Sequence, residues 1–177
     1  MKKIIIETID NITVNESLCK KIFKNEKSLI SLKAWSLLNT ELIKENIDLM
    51  NEHIVYNTNG KPYLSNKNIY FNISHSDTVI AIIISDQECG IDIEFVDYNK
   101  NHDKYIHKIL SKNEIDVYNN SDDKIKYFYK QWTKKEAYMK YNGTGIQISK
   151  LNNELEQFNI ITEEITKNGK KYIFSYL

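Results

Sequence analysis

The segment Gly90-Ile91-Asp92-Ile93-Glu94 sets two carboxylates at alternate positions of a run with strand character. Alternate side chains of a strand share a face. Asp92 and Glu94 therefore project together, while Ile91, Ile93 and Phe95 turn toward a core. Two hard oxygen donors on one rigid strand make half of a site for Mg²⁺. A solvated strand face is the plainer account, and the pentapeptide alone does not choose between them.

A second set lies on the helical stretch Trp132-Thr133-Lys134-Lys135-Glu136-Ala137-Tyr138-Met139-Lys140. Helical spacing puts Phe128, Trp132 and Met139 on an inward face, and Tyr129, Thr133, Glu136 and Lys140 on another. Glu136 and Lys140, four apart, form either a surface ion pair worth about 0.3–0.5 kcal/mol or a functional pair. In the second case Glu136 completes a three-carboxylate metal site and Lys140 reaches a phosphate.

A third set is Phe71-Asn72-Ile73-Ser74-His75-Ser76. Ser74 and His75 are neighbours near a strand end, so their side chains point apart and cannot act as nucleophile and base on each other. That excludes a serine hydrolase built on this pair. His75, at the mouth of a hairpin, is placed either as an ordinary turn residue or as a hydrogen-bond donor to a phosphate. Upstream, Gly60-Lys61-Pro62-Tyr63 sets a lysine in a tight turn, and Lys20, Lys21, Lys24, Lys27 and Lys33 crowd the first third of the chain.

These groups need elements to carry them. Lys3–Thr8 reads as a first strand, and Ser28–Asn46 as a long amphipathic helix. Asn57–Pro62 is a turn cluster. Ile69–Ser74 and Val79–Ser85 form a hairpin across His75–Thr78, and Gly90–Val96 is a third strand of this region. Lys104–Leu110 is a short helix. Ser111-x-x-Glu114 is a capping box opening another. A longer helix runs from Asp122 or Asp123 to Tyr141, stopped by Asn142-Gly143. Ile146–Leu177 holds two or three strands, Lys171–Tyr176 the clearest. The fold class is α+β, with no evident sequence repeat between halves of similar element content.

Composition narrows the function. The 177 residues carry 24 basic and 24 acidic side chains, a net charge of zero. That argues against a general nucleic-acid binder. There is no membrane-length apolar run. The start MKKIIIETID lacks a secretory pattern, and Cys19 and Cys89 have no metal-like spacing. A cytoplasmic protein is expected.

In order and spacing, G-K-P-Y, F-N-I-S-H-S, G-I-D-I-E and W-T-K-K-E-A-Y-M-K together resemble the 4′-phosphopantetheinyl transferases, specifically the larger, surfactin-synthetase-activating type. The likeness runs from about Gly60 to Gly145. The resemblance implies a pseudo-twofold pair of subdomains, residues 1–89 and 90–177, each a small antiparallel sheet with helices, in a monomer. It implies Mg²⁺ (or Mn²⁺) on Asp92, Glu94 and Glu136, and coenzyme A between the halves. His75 and Lys140 would meet its phosphates, and Gly60, Lys61, Pro62 and Ser74 would surround its nucleotide. The partner would be an apo acyl or peptidyl carrier protein whose serine receives phosphopantetheine, with Glu136 as base and Lys140 and His75 assisting. The alternatives are a non-catalytic coenzyme A binder and a phosphohydrolase using the same acids. One departure stands out: an arginine that the family uses for the 3′-phosphate aligns with Trp35, leaving Lys33 or the earlier lysines to substitute.

Overall fold

Val79–Ile84 is a run of six apolar residues, and the fold buries it on both faces. In the computed structural model, which describes residues 2–66, 68–145, 147, 151, 155 and 157–177, this run is the middle strand of a three-stranded antiparallel sheet. The sheet order is β1 (Lys2–Thr8), β5 (Val79–Ser85), β4 (Tyr70–Ser76). Ile80, Ile82 and Ile84 pack under α2 (Leu29–Ile43) with Leu38, Leu42 and Trp35. Val79, Ala81 and Ile83 face the other way, onto Ile91, Ile93, Tyr172, Phe174 and Tyr176 of a second sheet. A strand buried on both sides has no reason to alternate apolar and polar residues.

The second sheet has the order β6 (Ile91–Phe95), β8 (Lys170–Tyr176), β7 (Ile161–Lys167), again antiparallel. Its outer face carries α5 (Lys124–Asn142), which packs with α3 (Asp103–Ile109) and α4 (Lys112–Asn119) around Phe128, Tyr129, Met139 and Ile173. The layers are thus helix, sheet, sheet, helix. In each half a leading strand is followed by helices and then a hairpin, and the leading strand pairs with the hairpin's last strand. Both hairpins are closed by two residues. Ser76 pairs with Val79 and Lys167 with Lys170, and Asp77 and Asn168 each take a positive φ to make the turn.

The expected α+β class and principal elements are present, with local differences. β4 continues through His75 to Ser76, so His75 sits on the strand rather than in the turn. α1 (Glu16–Ile22), capped by Asn15, and the ribbon β2 (Ile54–Tyr56)–β3 (Pro62–Leu64) are additional. The capping box forms as read, Ser111 and Glu114 bonding each other's amides at 3.2 and 2.7 Å. Much of the expected strand region from Ile146 to Ile160 lies outside the described residues. Among the described residues no helix is long and apolar enough to cross a membrane. Both cysteines are free and buried.

Candidate functional site

The free edge of β6 lies against β4, and side chains bridge the seam in place of a backbone ladder. Asn72, Ser74 and Ser76, alternate residues of β4, accept from the amides of Ile91, Ile93 and Phe95 at 3.1, 3.4 and 3.0 Å. Exposed strand amides need such partners when buried. The same serines reach the acids: Ser74 Oγ donates to Asp92 Oδ1 at 2.8 Å and Ser76 Oγ to Glu94 Oε2 at 2.7 Å. The alternation N-x-S-x-S thereby fixes both the edge of β6 and the two carboxylates.

α5 supplies the opposite wall. It crosses β6 so closely that a Cβ on Gly90 would stand 2.2 Å from the Ala137 carbonyl oxygen and 2.5 Å from the Tyr141 amide nitrogen. Only glycine admits that approach, which brings Glu136 and Lys140 over Asp92. Lys140 Nζ donates to Asp92 Oδ1 at 2.7 Å and to Ser74 Oγ at 2.8 Å. Trp132 Nε1 donates to Glu94 Oε1 at 3.2 Å. The other two carboxylates keep oxygens without partners: Asp92 Oδ2 and Glu136 Oε1 are both buried and unbonded.

The electrostatics follow from this crowding. Burial, then the charge of Asp92, pushes the Glu136 carboxyl up to about 7, against the pull of Lys140. Burial and Asp92 also raise Glu94, although Ser76 and Trp132 bond its charged form. His75, near the end of β4, is driven below the ordinary histidine range by burial and then by the Lys140 charge. A site with three acids feeling one another and one ammonium among them is short of positive charge.

The expected residues are not all placed for one task. Asp92, Glu94, Glu136, Ser74, Lys140 and His75 come together. Among the described residues, however, no three His, Cys, Asp or Glu side chains are arranged to hold a metal ion. The three-acid site is thus not preassembled, because Lys140 occupies Asp92 and both Glu94 oxygens are bonded. Gly60, Lys61 and Pro62 line a cavity of about 260 Å³ with Asn72, Glu136 and Lys140. Lys61 does so with its stem. Its ammonium turns to Tyr141 O at the end of α5, Cys89 O and Glu88 Oε2, at 2.8, 3.2 and 2.8 Å. Asn57 and Asn59 bond the Gly143 carbonyl beside it, so this turn anchors α5 to the first half.

Two early expectations land elsewhere. Trp35 is core, edge-on to Phe23 and Phe71 at 6.1 and 5.8 Å. Lys33 Nζ is bonded to Ile9 O at 2.6 Å, past the end of β1, the edge strand opposite β4. Lys21 spends its ammonium on the carbonyls of Leu49, Met50 and Glu52. The motif reading passed over Asn72, Ser76 and the Trp132 indole, for which the alternating small polar residues of β4 were the available signal. It also passed over Lys135. That buried ammonium meets Glu114 Oε2 at 2.6 Å and Ile109 O at 2.8 Å, locking α4 to α5 and leaving Glu136 to the site.

Comparison with known proteins decides the family. The description "4′-phosphopantetheinyl transferase superfamily" matches residues 88–175, which include β6, α5 and the last hairpin. The chain belongs to the 4′-phosphopantetheinyl transferase superfamily. A Haemophilus influenzae protein, provisionally named for that transferase activity, is 36% identical over 110 residues, covering 59% of this chain and 46% of the relative. The 4′-phosphopantetheinyl transferase gsp of Aneurinibacillus migulanus is 33% identical over 130 residues, 71% of this chain and 54% of the relative. The 4′-phosphopantetheinyl transferase AcpT of Escherichia coli is 34% identical over 95 residues, 51% and 48%. The matched stretch spans about half the length of these relatives. In superfamily terms, the matched region brings Asp92, Glu94, Glu136 and Lys140, while Ser74, Ser76 and His75 come from the half before it.

Proposed function

We propose that this chain transfers 4′-phosphopantetheine from coenzyme A to a serine of an apo acyl or peptidyl carrier protein, releasing 3′,5′-ADP. The observation that carries the reading is the seam itself. Glu136 and Lys140 line the cavity built by the Gly60–Pro62 turn, Lys140 ties that cavity to Asp92, and Asp92 and Glu136 each keep a buried carboxylate oxygen without a partner. Residues 1–89 and 90–177 are read as the two halves of the fold, combined in a monomer, with a cytoplasmic setting suited to the two free cysteines.

The donor set fits a divalent cation. Orphaned, buried carboxylate oxygens are hard ligands lacking a counter-charge, and Asp92, Glu136 and Glu94 are the residues that would hold Mg²⁺ or Mn²⁺. Such an ion supplies positive charge against the pyrophosphate. The remaining work belongs to the protein. Glu136 accepts the proton of the incoming serine hydroxyl. Lys140 places its ammonium on a phosphate oxygen and stabilises the charge that builds on the departing 3′,5′-ADP. His75, beside Lys140, donates a hydrogen bond to a phosphate. Gly60 and Pro62, with the Lys61 stem and Ser74, shape the nucleotide side.

The carrier protein is assigned to α3, the Ser111–Tyr118 segment and the adjoining side of α5. A separate cavity of about 310 Å³ opens there beside Asn113, Val117, Gln131 and Lys134, and none of the three acids lines it.

Intact-mass analysis of apo carrier proteins incubated with the protein, coenzyme A and Mg²⁺, with a chelator control, tests the reading. The expected result is one phosphopantetheine added per carrier, lost with the chelator. Coenzyme A binding without a gain on any carrier assigns the chain to the non-catalytic binders instead. Steady 3′,5′-ADP release without carrier assigns it to the phosphohydrolases.

A further inference from the structure

Asp92 Oδ1 is saturated and Asp92 Oδ2 is empty. The first oxygen receives Ser74 Oγ–H at 2.8 Å and a Lys140 N–H at 2.7 Å. Ser74 uses its one proton on Asp92 and its lone pairs on Lys140 and the Ile93 amide, which exhausts a hydroxyl's capacity. Asp92 is 4% exposed at its side chain, whereas Lys140 keeps 28%. The carboxylate cannot leave the seam, but the lysine, on a flexible four-carbon stem, can.

We propose that Lys140 is the resident counter-cation of the acid site and exchanges places during ligand binding. A divalent cation takes over the negative charge of Asp92, and the freed ammonium goes to the phosphates of the nucleotide ligand. This rests on the acids being the cation site proposed above. The contact then has two consequences that a lysine acting only on substrate would lack. Lys140 competes with the cation for Asp92, so it weakens cation binding when no phosphate is present. A phosphate ligand removes the competitor, so cation and ligand each tighten the other, by the same factor in both directions. Ser74 stays behind on Asp92 and holds the carboxylate in register while its two positive partners change.

The exchange is tested by titrating Mn²⁺ into the wild-type protein, Lys140→Met, Lys140→Gln and Asp92→Asn, each with and without coenzyme A, following free Mn²⁺ by electron paramagnetic resonance. Lys140→Met should bind Mn²⁺ alone about tenfold more tightly than wild type, as expected when a competing positive charge is removed from Asp92. Coenzyme A should tighten Mn²⁺ in the wild type and do so much less in the variant. Lys140→Gln, which keeps a hydrogen-bond donor for Asp92, serves if Lys140→Met does not fold by circular dichroism. Mn²⁺ affinity equal to or weaker than wild type in the folded Lys140 variant, with binding still lost in Asp92→Asn, overturns the exchange and leaves the metal site standing. Absence of Mn²⁺ binding in every protein overturns the metal site, and the exchange with it. Within the wild type, the Lys140 ammonium ¹⁵N signal should shift when saturating Mg²⁺ and coenzyme A exchange its Asp92 partner for a phosphate. An unchanged signal counts against the exchange.

Discussion

β1 and β6 are the leading strands of the two halves, and one matched pair of positions on them carries opposite charge. Ser85 pairs with Lys2 as Tyr176 pairs with Ile91, so Lys3 corresponds to Asp92 and Ile5 to Glu94. Lys3 meets Glu41 of α2 at 2.9 Å; Asp92 meets Lys140 of α5 at 2.7 Å. In both halves an ion pair ties the second residue of the leading strand to the helix above it, with the signs exchanged. The hairpins differ more. Where β4 has Asn72, Ser74 and Ser76, the register of β7 puts Glu163, Ile165 and Lys167. Glu163 accepts instead from Tyr176 Oη at 2.9 Å. One strand order is therefore used twice among the described residues, and the proposed chemistry belongs to the β4–β6 seam.

The sharpest way to break this comparison is to remove matched residues. Asp92→Ala and Glu136→Ala should each cut phosphopantetheine transfer about a thousandfold, whereas Lys3→Ala should leave turnover within about twofold. Comparable losses from Asp92→Ala and Lys3→Ala would mean that the chemistry is not confined to the β4–β6 seam.

Gly90→Ala comes next. Its Cβ meets helix backbone, not a movable side chain, so α5 must shift. A loss of about 3 kcal/mol in denaturant midpoint analysis is expected. Gly169→Ala, in the last turn, has nothing within 4 Å of its added Cβ and should cost only the backbone strain of its positive φ, about 1 kcal/mol.

Ser76→Ala should slow turnover about tenfold while lowering the melting temperature by only a few degrees, because Glu94 loses one of two donors. Ser76→Thr should restore most of the rate. The matched Lys167→Ala should do neither.

The two halves also differ in pH dependence. Glu136 has a folded pKa of about 7 against an ordinary 4.5, so the native state binds its proton more tightly. From this group, metal-free stability rises as pH falls from 8 to 4.5, by about 3 kcal/mol at most. Glu136→Gln should therefore be stabilising at pH 8 and neutral near pH 4.5. The first half has the opposite sign. Burial pushes Glu41 up, but hydrogen bonds from Lys44 and Lys3 more than offset it and leave the carboxyl below its usual range. That stability is present above the ordinary carboxylate pKa and is lost as pH falls through the folded value. Urea midpoints across pH for Glu136→Gln and Lys3→Met separate the two.

How much of this was legible in the sequence depends on range. α5 announces itself by periodicity, Asp123 as its cap and Gly143 as its left-handed stop, and the capping box reads directly. The acids' shared face on β6 follows from alternation alone. The seam does not, because Asn72, Ser74 and Ser76 find the β6 amides only after both sheets have formed. The internal repeat is hidden for a related reason. Matched positions serve opposite charges and different cores, so topology and register persist while residue types do not. Short pieces such as β2 and β3, three residues each, carry too little pattern to read. Lys61 shows the limit of a motif: its place was legible, but the ammonium's commitment to the end of α5 was not.

A crystal structure with coenzyme A and Mn²⁺, with the metal located by anomalous scattering, tests the central claim most directly. The account predicts one Mn²⁺ peak bounded by Asp92 and Glu136, Lys140 on a phosphate, and the nucleotide against Gly60–Pro62. Coenzyme A or Mn²⁺ bound along β1 and β7, with the β4–β6 seam empty, would contradict it.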